Sequence, residues 1–354
     1  MKKTAPIALA ALALSLPVGA QENAAPAPSP NEIVASATAE EWVAIAAEDL
    51  LVMTLAPDAQ GNERKVVIQL MPAPFSQGWV ENIRTLARAE WYDGISVNRV
   101  QDNYVVQWGD PGHDNPESGE VETKPLPEGL NVMGESNFSS ALNYLQRSSA
   151  LAPVDRRNGF RRGSFDNYSS MAGFFGGWPV GFAGIQHIPI CVTEQGSEEC
   201  RPLTQEEYFD SAWPVHCYGM VGVGRSYSPD TGSGAELYTV IGHAPRHLDG
   251  NIALVGRIIN GMEYLSSMPR GTGTLGFYTN EEADLRTPIL SIRVASDLPE
   301  AKQPQFKYLS TEGETFARYA EARANRRDPF FIHPAGGADI CNIPVPIRAV
   351  KDDN

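Results

Sequence analysis

Apolar and polar positions alternate along this chain in two periods. Between Gly78 and Ala89, Trp79, Ile83 and Leu86 fall at i, i+4 and i+7, a spacing that gathers one buried stripe on a helix. Leu51-Val52-Met53-Thr54-Leu55 and Lys65-Val66-Val67-Ile68-Gln69-Leu70 are short runs rich in strand-forming residues. The turn residues from Pro57 to Asn62 between them predict a β-hairpin. After the helix, Asp93-Gly94 marks a turn, and Ile95–Val100 and Tyr104–Trp108 predict two more strands. Strict alternation puts Ile95, Val97 and Arg99 on one face of the first of these. Upstream, Thr38-Ala39-Glu40-Glu41 fits a capping box and predicts a short helix to about Ala47. Residues 112–216 lose the rhythm: Gly and Pro are frequent, strand signals are weak, and aromatics cluster at Phe174-Phe175-Gly176-Gly177-Trp178. A last helical pattern lies around Glu312 to Arg327.

The ends and the composition change this picture. Lys2 and Lys3, an apolar stretch from Ala5 to Pro17, and Val18-Gly19-Ala20 together read as a secretory signal over residues 1–20. The apolar stretch is well short of the ~20 residues that span a bilayer, so no membrane insertion is expected. Residues 21–35, rich in Ala, Pro and Ser, read as a disordered linker. The implied address is the periplasm of a Gram-negative bacterium. In that oxidising compartment Cys191, Cys200, Cys217 and Cys341 read as disulfide partners. Four cysteines allow three pairings. Cys191–Cys200 closes a short loop across Gly196; Cys217–Cys341 then follows by elimination. The net charge of −15 repels nucleic acid and anionic membrane, which excludes both as expected partners. No repeat divides the interior, so residues 36–296 read as one domain with an insertion at about 112–216, followed by an extension over 297–354.

The stretch from Trp91 to Pro111 carries the candidate chemistry: Trp-Tyr-Asp-Gly-Ile-Ser-Val-Asn-Arg-Val-Gln-Asp-Asn-Tyr-Val-Val-Gln-Trp-Gly-Asp-Pro. It resembles the signature of the cyclophilins, peptidyl-prolyl cis/trans isomerases that read Tyr-Tyr-Asp-Gly, Phe-His-Arg-Val, then Phe-x-x-Gln-Gly-Gly-Asp-Pro. Further along, Gly219–Gly224, Ala235–Gly242, His247-Leu248-Asp249-Gly250-Asn251 and Val255–Met262 resemble later strands and turns of that family, and Pro288–Ala295 its closing strand. The resemblance implies a mainly β fold, a closed antiparallel eight-stranded β-barrel with two capping helices. It also implies a chemistry. A peptide bond resists rotation by ~18–20 kcal/mol because resonance stiffens C–N. A catalyst of that rotation must favour the twisted amide, whose nitrogen regains a lone pair. A hydrogen-bond donor beside that nitrogen does so, and an apolar pocket removes the water that favours the planar form.

By resemblance Arg99 is the donor, its guanidinium charged at any working pH, and Gln107 orients it. Tyr104 and Val105 floor the proline pocket, Tyr238 matches a pocket phenylalanine, and Val223, His247 and Leu248 complete the substrate side. The sequence departs from the family at Val97 and Asn98, at Ile252, and at Glu236 or Leu237, one of which replaces a glutamine. The implied partners are proline-containing polypeptide clients, and no cofactor or metal is implied. Two decoys fall away. Asp230-Thr231-Gly232-Ser233 is the aspartic-protease tetrapeptide, but it occurs once and follows Ser228-Pro229, which is turn chemistry. His243 and His247 have helical zinc spacing, but Pro245 lies between them and blocks a helix. A rival reading keeps the fold without turnover, as a client-binding module or chaperone. A third is a scaffold component of an envelope complex.

Overall fold

A computed structural model describes residues 26–110, 123–141, 166, 168–184, 190–194, 197–201, 209–333 and 336–350. Eight antiparallel strands form its centre: β1 Leu50–Leu55, β2 Arg64–Leu70, β3 Ser96–Val100, β4 Val105–Gly109, β5 Met220–Val223, β6 Leu237–Val240, β7 Leu254–Asn260 and β8 Ile289–Val294. They pair in the order β8-β1-β2-β7-β5-β6-β4-β3. The two edges meet through a Ser96–Pro288 bridge, with Gly94 and Ile289 exchanging backbone bonds with Ile289 and Ile95. The sheet is therefore nearly closed into a barrel, and this removes the exposed edges that would invite aggregation.

The barrel interior holds Leu51, Met53, Leu55, Val66, Ile68, Val97, Val100, Val106 and Trp108. The hairpin β1–β2 is unusual in burying its outer face as well. Leu50, Val52 and Val67 pack there with Ile45, Ala295 and Phe306, which accounts for the unbroken apolar run Leu50 to Met53. A helix from Gln77 to Arg88 buries Trp79, Val80, Ile83 and Leu86 against one end of the barrel, on the stripe the sequence period gives. A five-residue helix, Met262–Ser266, follows β7.

The flanks differ from their sequence reading in three places. The capping box at Thr38 and Glu41 is present, but the helix lasts one 3-10 turn. The Glu41 carboxylate also accepts from the backbone and hydroxyl of Thr315, and Trp42–Ala44 is drawn out into a strand paired with Phe306–Leu309. The reading of 21–35 as linker fails at its end: Pro30–Ala35 is a helix, with Ser29 and Glu32 forming a reciprocal capping box and Ile33 buried. It packs on a helix at Glu314–Ala324 in the C-terminal extension. Within the insertion, Met171–Phe175, Trp178–Gly184, Phe209–Pro214 and Ser140–Ala141 form a four-stranded sheet rather than irregular chain. Arg257 ties this sheet to the barrel. Its Nε donates to Gln69 Oε1 at 2.9 Å, its Nη1 to the Gly177 carbonyl at 2.7 Å, and it stacks 4.1 Å from the Trp178 ring. Burial lowers its pKa to about 9, still charged at neutral pH.

Cys217 and Cys341 form a disulfide that spans 124 residues and fixes the tail to the body. In the hairpin Ile190–Glu194/Ser197–Arg201 the backbone register sets Cys191 opposite Cys200. The proposed signal and residues 21–25 lie outside the described residues. Among those described, no helix is long and apolar enough to cross a membrane.

Candidate active site

Arg99 reaches the outer surface of the barrel because β3 carries a bulge. Val97 pairs with Trp108 and Arg99 with Gln107, so Asn98 is an extra residue and the alternation slips by one. Val97 and Val100 both face the interior, while Arg99 shares the outer face with Gln107. The expected common face for Ile95, Val97 and Arg99 is thus broken at Asn98. That buried side chain holds the bulge, donating from Nδ2 to the Gly109 carbonyl at 2.8 Å and accepting from Ser96 Oγ at 2.8 Å.

The pairings extend the outer row across the sheet: Gln107 lies opposite Tyr238, Tyr238 opposite Gly222, and Val105 opposite Val240. Val105, Tyr238 and Val240 form a separate buried apolar cluster, with Tyr104 and Ile252 packed against it. A groove floor of apolar side chains therefore lies beside a cation. Arg99 Nη1 donates to Gln107 Oε1 at 3.1 Å, Nη2 donates to Gln101 Oε1, and Nε donates to the Leu275 carbonyl at 2.7 Å. The guanidinium carbon lies 5.6 Å from the Tyr104 ring centre and 5.3 Å from that of Phe277. Gln107 in turn donates from Nε2 to Glu236 Oε2 at 2.9 Å. Glu236, not Leu237, is therefore the residue facing this site; Leu237 pairs with Trp108 in the interior.

Behind the floor runs a buried polar chain that no sequence motif announced. Tyr238 Oη lies 2.8 Å from His216 Nε2, and His216 Nδ1 lies 2.8 Å from Asp249 Oδ1. The carboxylate can only accept, so the imidazole proton sits on Nδ1 and Nε2 accepts from the tyrosine hydroxyl. Asp249 also accepts from the His216 backbone N–H at 2.9 Å and from Arg246 Nε at 2.5 Å, and Arg246 pairs with Asp166. Burial lowers the His216 pKa, outweighing the pull of Asp249, and burial raises that of Tyr238 well above its ordinary value near 10. The phenol is thus a satisfied, un-ionised group, an apolar floor with its hydroxyl turned into the wall. Gly222 makes this possible: a Cβ there would sit 2.4 Å from Tyr238 Cζ.

Of the residues expected from sequence, Arg99, Gln107, Tyr104, Val105 and Tyr238 come together. Val223 does not. It pairs with Leu237 and lies in the barrel interior, fully buried like Val221, while Gly222 between them turns to the outer face opposite Tyr238. His247 is exposed on the turn Arg246–Leu248, and Leu248 is half-buried outside the apolar cluster. Asp230 closes a turn by accepting from Ser226 and Gly232 backbone N–H groups, as turn chemistry requires. Gln101, Val240, Leu275 and Phe277 are additional site residues; only Ile252 and Glu236 had a sequence signal, as departures from a recognisable pattern.

A sequence profile described as "Cyclophilin type peptidyl-prolyl cis-trans isomerase/CLD" matches residues 60–294. Among solved structures, the chain is similar to the cyclophilin AquaCyp293 from Hirschia baltica, with 19% identity, a TM-score of 0.59, and coverage of 90% of this chain and 100% of that one. It is more distantly similar to a cyclophilin type peptidyl-prolyl cis-trans isomerase of Cryptosporidium parvum, with 9% identity, a TM-score of 0.36, and coverage of 70% and 96%. No curated protein sequence matches the chain.

Proposed function

We propose, from the premise that the chain belongs to the cyclophilin-type peptidyl-prolyl cis-trans isomerase family, that it isomerises Xaa-Pro bonds of exported polypeptides in the periplasm. The observation that carries the site is Arg99, its guanidinium held on three N–H groups at the edge of the Tyr104, Val105, Tyr238, Val240 and Ile252 cluster. A proline ring on that floor leaves water behind, and its amide nitrogen comes beside a preset donor. The donor gains strength only as the amide twists and the nitrogen lone pair appears, so it stabilises the transition state over either planar isomer. No covalent step or general base is involved. Export is supported by the basic, apolar and small-residue sequence of residues 1–20.

Magnetisation-exchange NMR on a short Xaa-Pro peptide tests the reaction. The mature chain should accelerate cis/trans exchange, and Arg99→Ala should lose about a hundredfold or more, the usual loss for one preorganised donor. If both leave the peptide at its own rate, the reading as a binding module replaces this one. Cell fractionation with N-terminal sequencing tests the address: a mature start at Gln21 in the periplasmic fraction is expected.

A further inference from the structure

The segment after the Met262–Ser266 helix lies outside every motif that marks the site, yet it runs along β3 directly over the arginine. Gly271 N donates to the Val100 carbonyl at 3.1 Å and Tyr278 N to the Asn98 carbonyl at 3.0 Å. Between these, Phe277 forms a backbone bridge with Arg99 itself. Two left-handed residues, Leu275 at φ 54° and Gly276 at φ 81°, make the turn. They aim the Leu275 carbonyl back at Arg99, where it accepts the Nε–H at 2.7 Å, and the Phe277 ring lies against the guanidinium. The fit is close: a Cβ on Gly276 would stand 2.7 Å from Gln101 Cα.

We propose that the Gly273–Phe277 turn is a positioning element of the active site, which locks Arg99 by its Nε so that its Nη end stays on the groove beside Gln107. Arginine is a long side chain with much rotamer freedom, and a donor acts at full strength only if it is in place before the amide twists. Gln107 and Gln101 each accept from one Nη, and both bonds lie at the far end of the guanidinium, so neither fixes its Nε side. The carbonyl and the ring do so from the opposite flank. The inference rests on the isomerase reading of Arg99.

Three variants test it, read by exchange kinetics and by the Arg99 Nε–H resonance. Gly276→Ala meets both a disfavoured φ and the Gln101 backbone, so the turn should lift. We expect kcat to fall about tenfold or more, the scale of one hydrogen bond to a charged group, with KM little changed. The Arg99 Nε–H, hydrogen-bonded to the Leu275 carbonyl in the wild type, should exchange with solvent faster in the variant. Phe277→Leu, similar in size but without a ring face, should lose about two- to fivefold more than Phe277→Tyr, which keeps a ring against the guanidinium. Should Gly276→Ala not fold, the Phe277 pair decides alone. Unchanged kcat in a folded Gly276→Ala, or equal rates for Phe277→Leu and Phe277→Tyr, overturns the lock while leaving an active wild type as an isomerase. A wild type without catalysis overturns the isomerase reading, and the lock with it.

Discussion

Glu236 decides which way round the Gln107 amide lies. Its carboxylate accepts only, so Gln107 must present its NH2 there and its oxygen to Arg99. A glutamine at 236 would accept or donate equally well, and Gln107 could then turn its NH2 toward the cation. Glu236→Gln should therefore lower kcat by about three- to tenfold in the peptide exchange assay, on the scale of one charge-assisted hydrogen bond. An unchanged rate would show that Gln107 is oriented by something else. Tyr238 separates floor from tether in a similar way. Tyr238→Phe keeps the ring but leaves His216 Nε2 without its donor in a buried site. It should cost about 1–3 kcal/mol of stability by urea unfolding, with KM nearly unchanged. A KM that rises in step with the stability loss would mean that the hydroxyl holds the floor in place. Arg99, Tyr104, Val105 and Gln107 were legible because they fall at fixed spacing within a dozen residues of one hairpin. Val223 was misplaced because it rested on resemblance alone, although alternation with Val221 turns it inward; the Asn98 bulge, by contrast, leaves no mark in hydropathy.

The hairpin Met171–Phe175/Trp178–Gly184 shows how an element can hide in an aperiodic stretch. Gly176 and Gly177 both have positive φ, as a two-residue hairpin loop of this hand needs, and they bring Phe175 opposite Trp178. The Gly-Gly signal was present in the sequence, but both faces of these strands are buried, so no polar alternation framed it. Gly177 has a second duty. Its N–H donates to Thr311 Oγ1 at 3.2 Å, its carbonyl accepts from Arg257, and a Cβ there would meet the Tyr308 ring at 2.6 Å. This residue thus joins insertion, barrel and C-terminal extension. Gly177→Ala should destabilise the protein by about 1–3 kcal/mol in urea unfolding, from left-handed strain and overpacking together. Gly61, with φ 82° and open space around its Cβ position, gives the comparison: Gly61→Ala carries strain without the clash and should cost less. Equal losses would place the whole effect in the backbone. The capping boxes at Ser29 and Thr38 were both real local signals, and they point to the same limit. A cap fixes where a helix begins; what lies three residues on, a partner strand or a partner helix, decides how long it runs.

At the scale of the whole molecule, the segments outside the barrel close over its outer side. Phe306 and Ile45 cover the β1–β2 hairpin, Phe316 meets Phe174 at 4.9 Å, and the Cys217–Cys341 disulfide secures the tail next to His216. The sequence showed an extension but not its destination, because its contacts are made with residues hundreds of positions away. The disulfide is the long-range contact that cysteine arithmetic did supply. Sealing this side buries His216 completely, and that has a consequence for the stability of the fold. Burial lowers the His216 pKa in the folded chain below 6.5, its ordinary value; the surrounding charged groups are Asp249, Arg246 and His247, with the Tyr238 hydroxyl on Nε2. The unfolded chain binds the proton near 6.5 and the folded chain resists it, so the unfolded state holds more protons as pH falls below that value. The stability linked to His216 is therefore full above pH 6.5 and is lost progressively as pH drops toward the folded pKa. The slope for one proton is at most about 1.4 kcal/mol per pH unit. The carboxylates with lowered pKa, Glu41, Glu48 and Asp166 among them, lose their share below unfolded values of 4.5 for glutamate and 3.8 for aspartate, so the window from 6.5 down to about 5 reports on the histidine. His216→Gln keeps a donor for Asp249 and an acceptor for Tyr238 but does not titrate. Urea unfolding at pH 7.5, 6 and 5 should show the wild type losing stability across this window and His216→Gln holding a flatter line, with the two converging toward acid. Parallel lines would mean that the acid sensitivity of the fold resides elsewhere, and that the proton on His216 is accepted without opening the wall behind the proline floor.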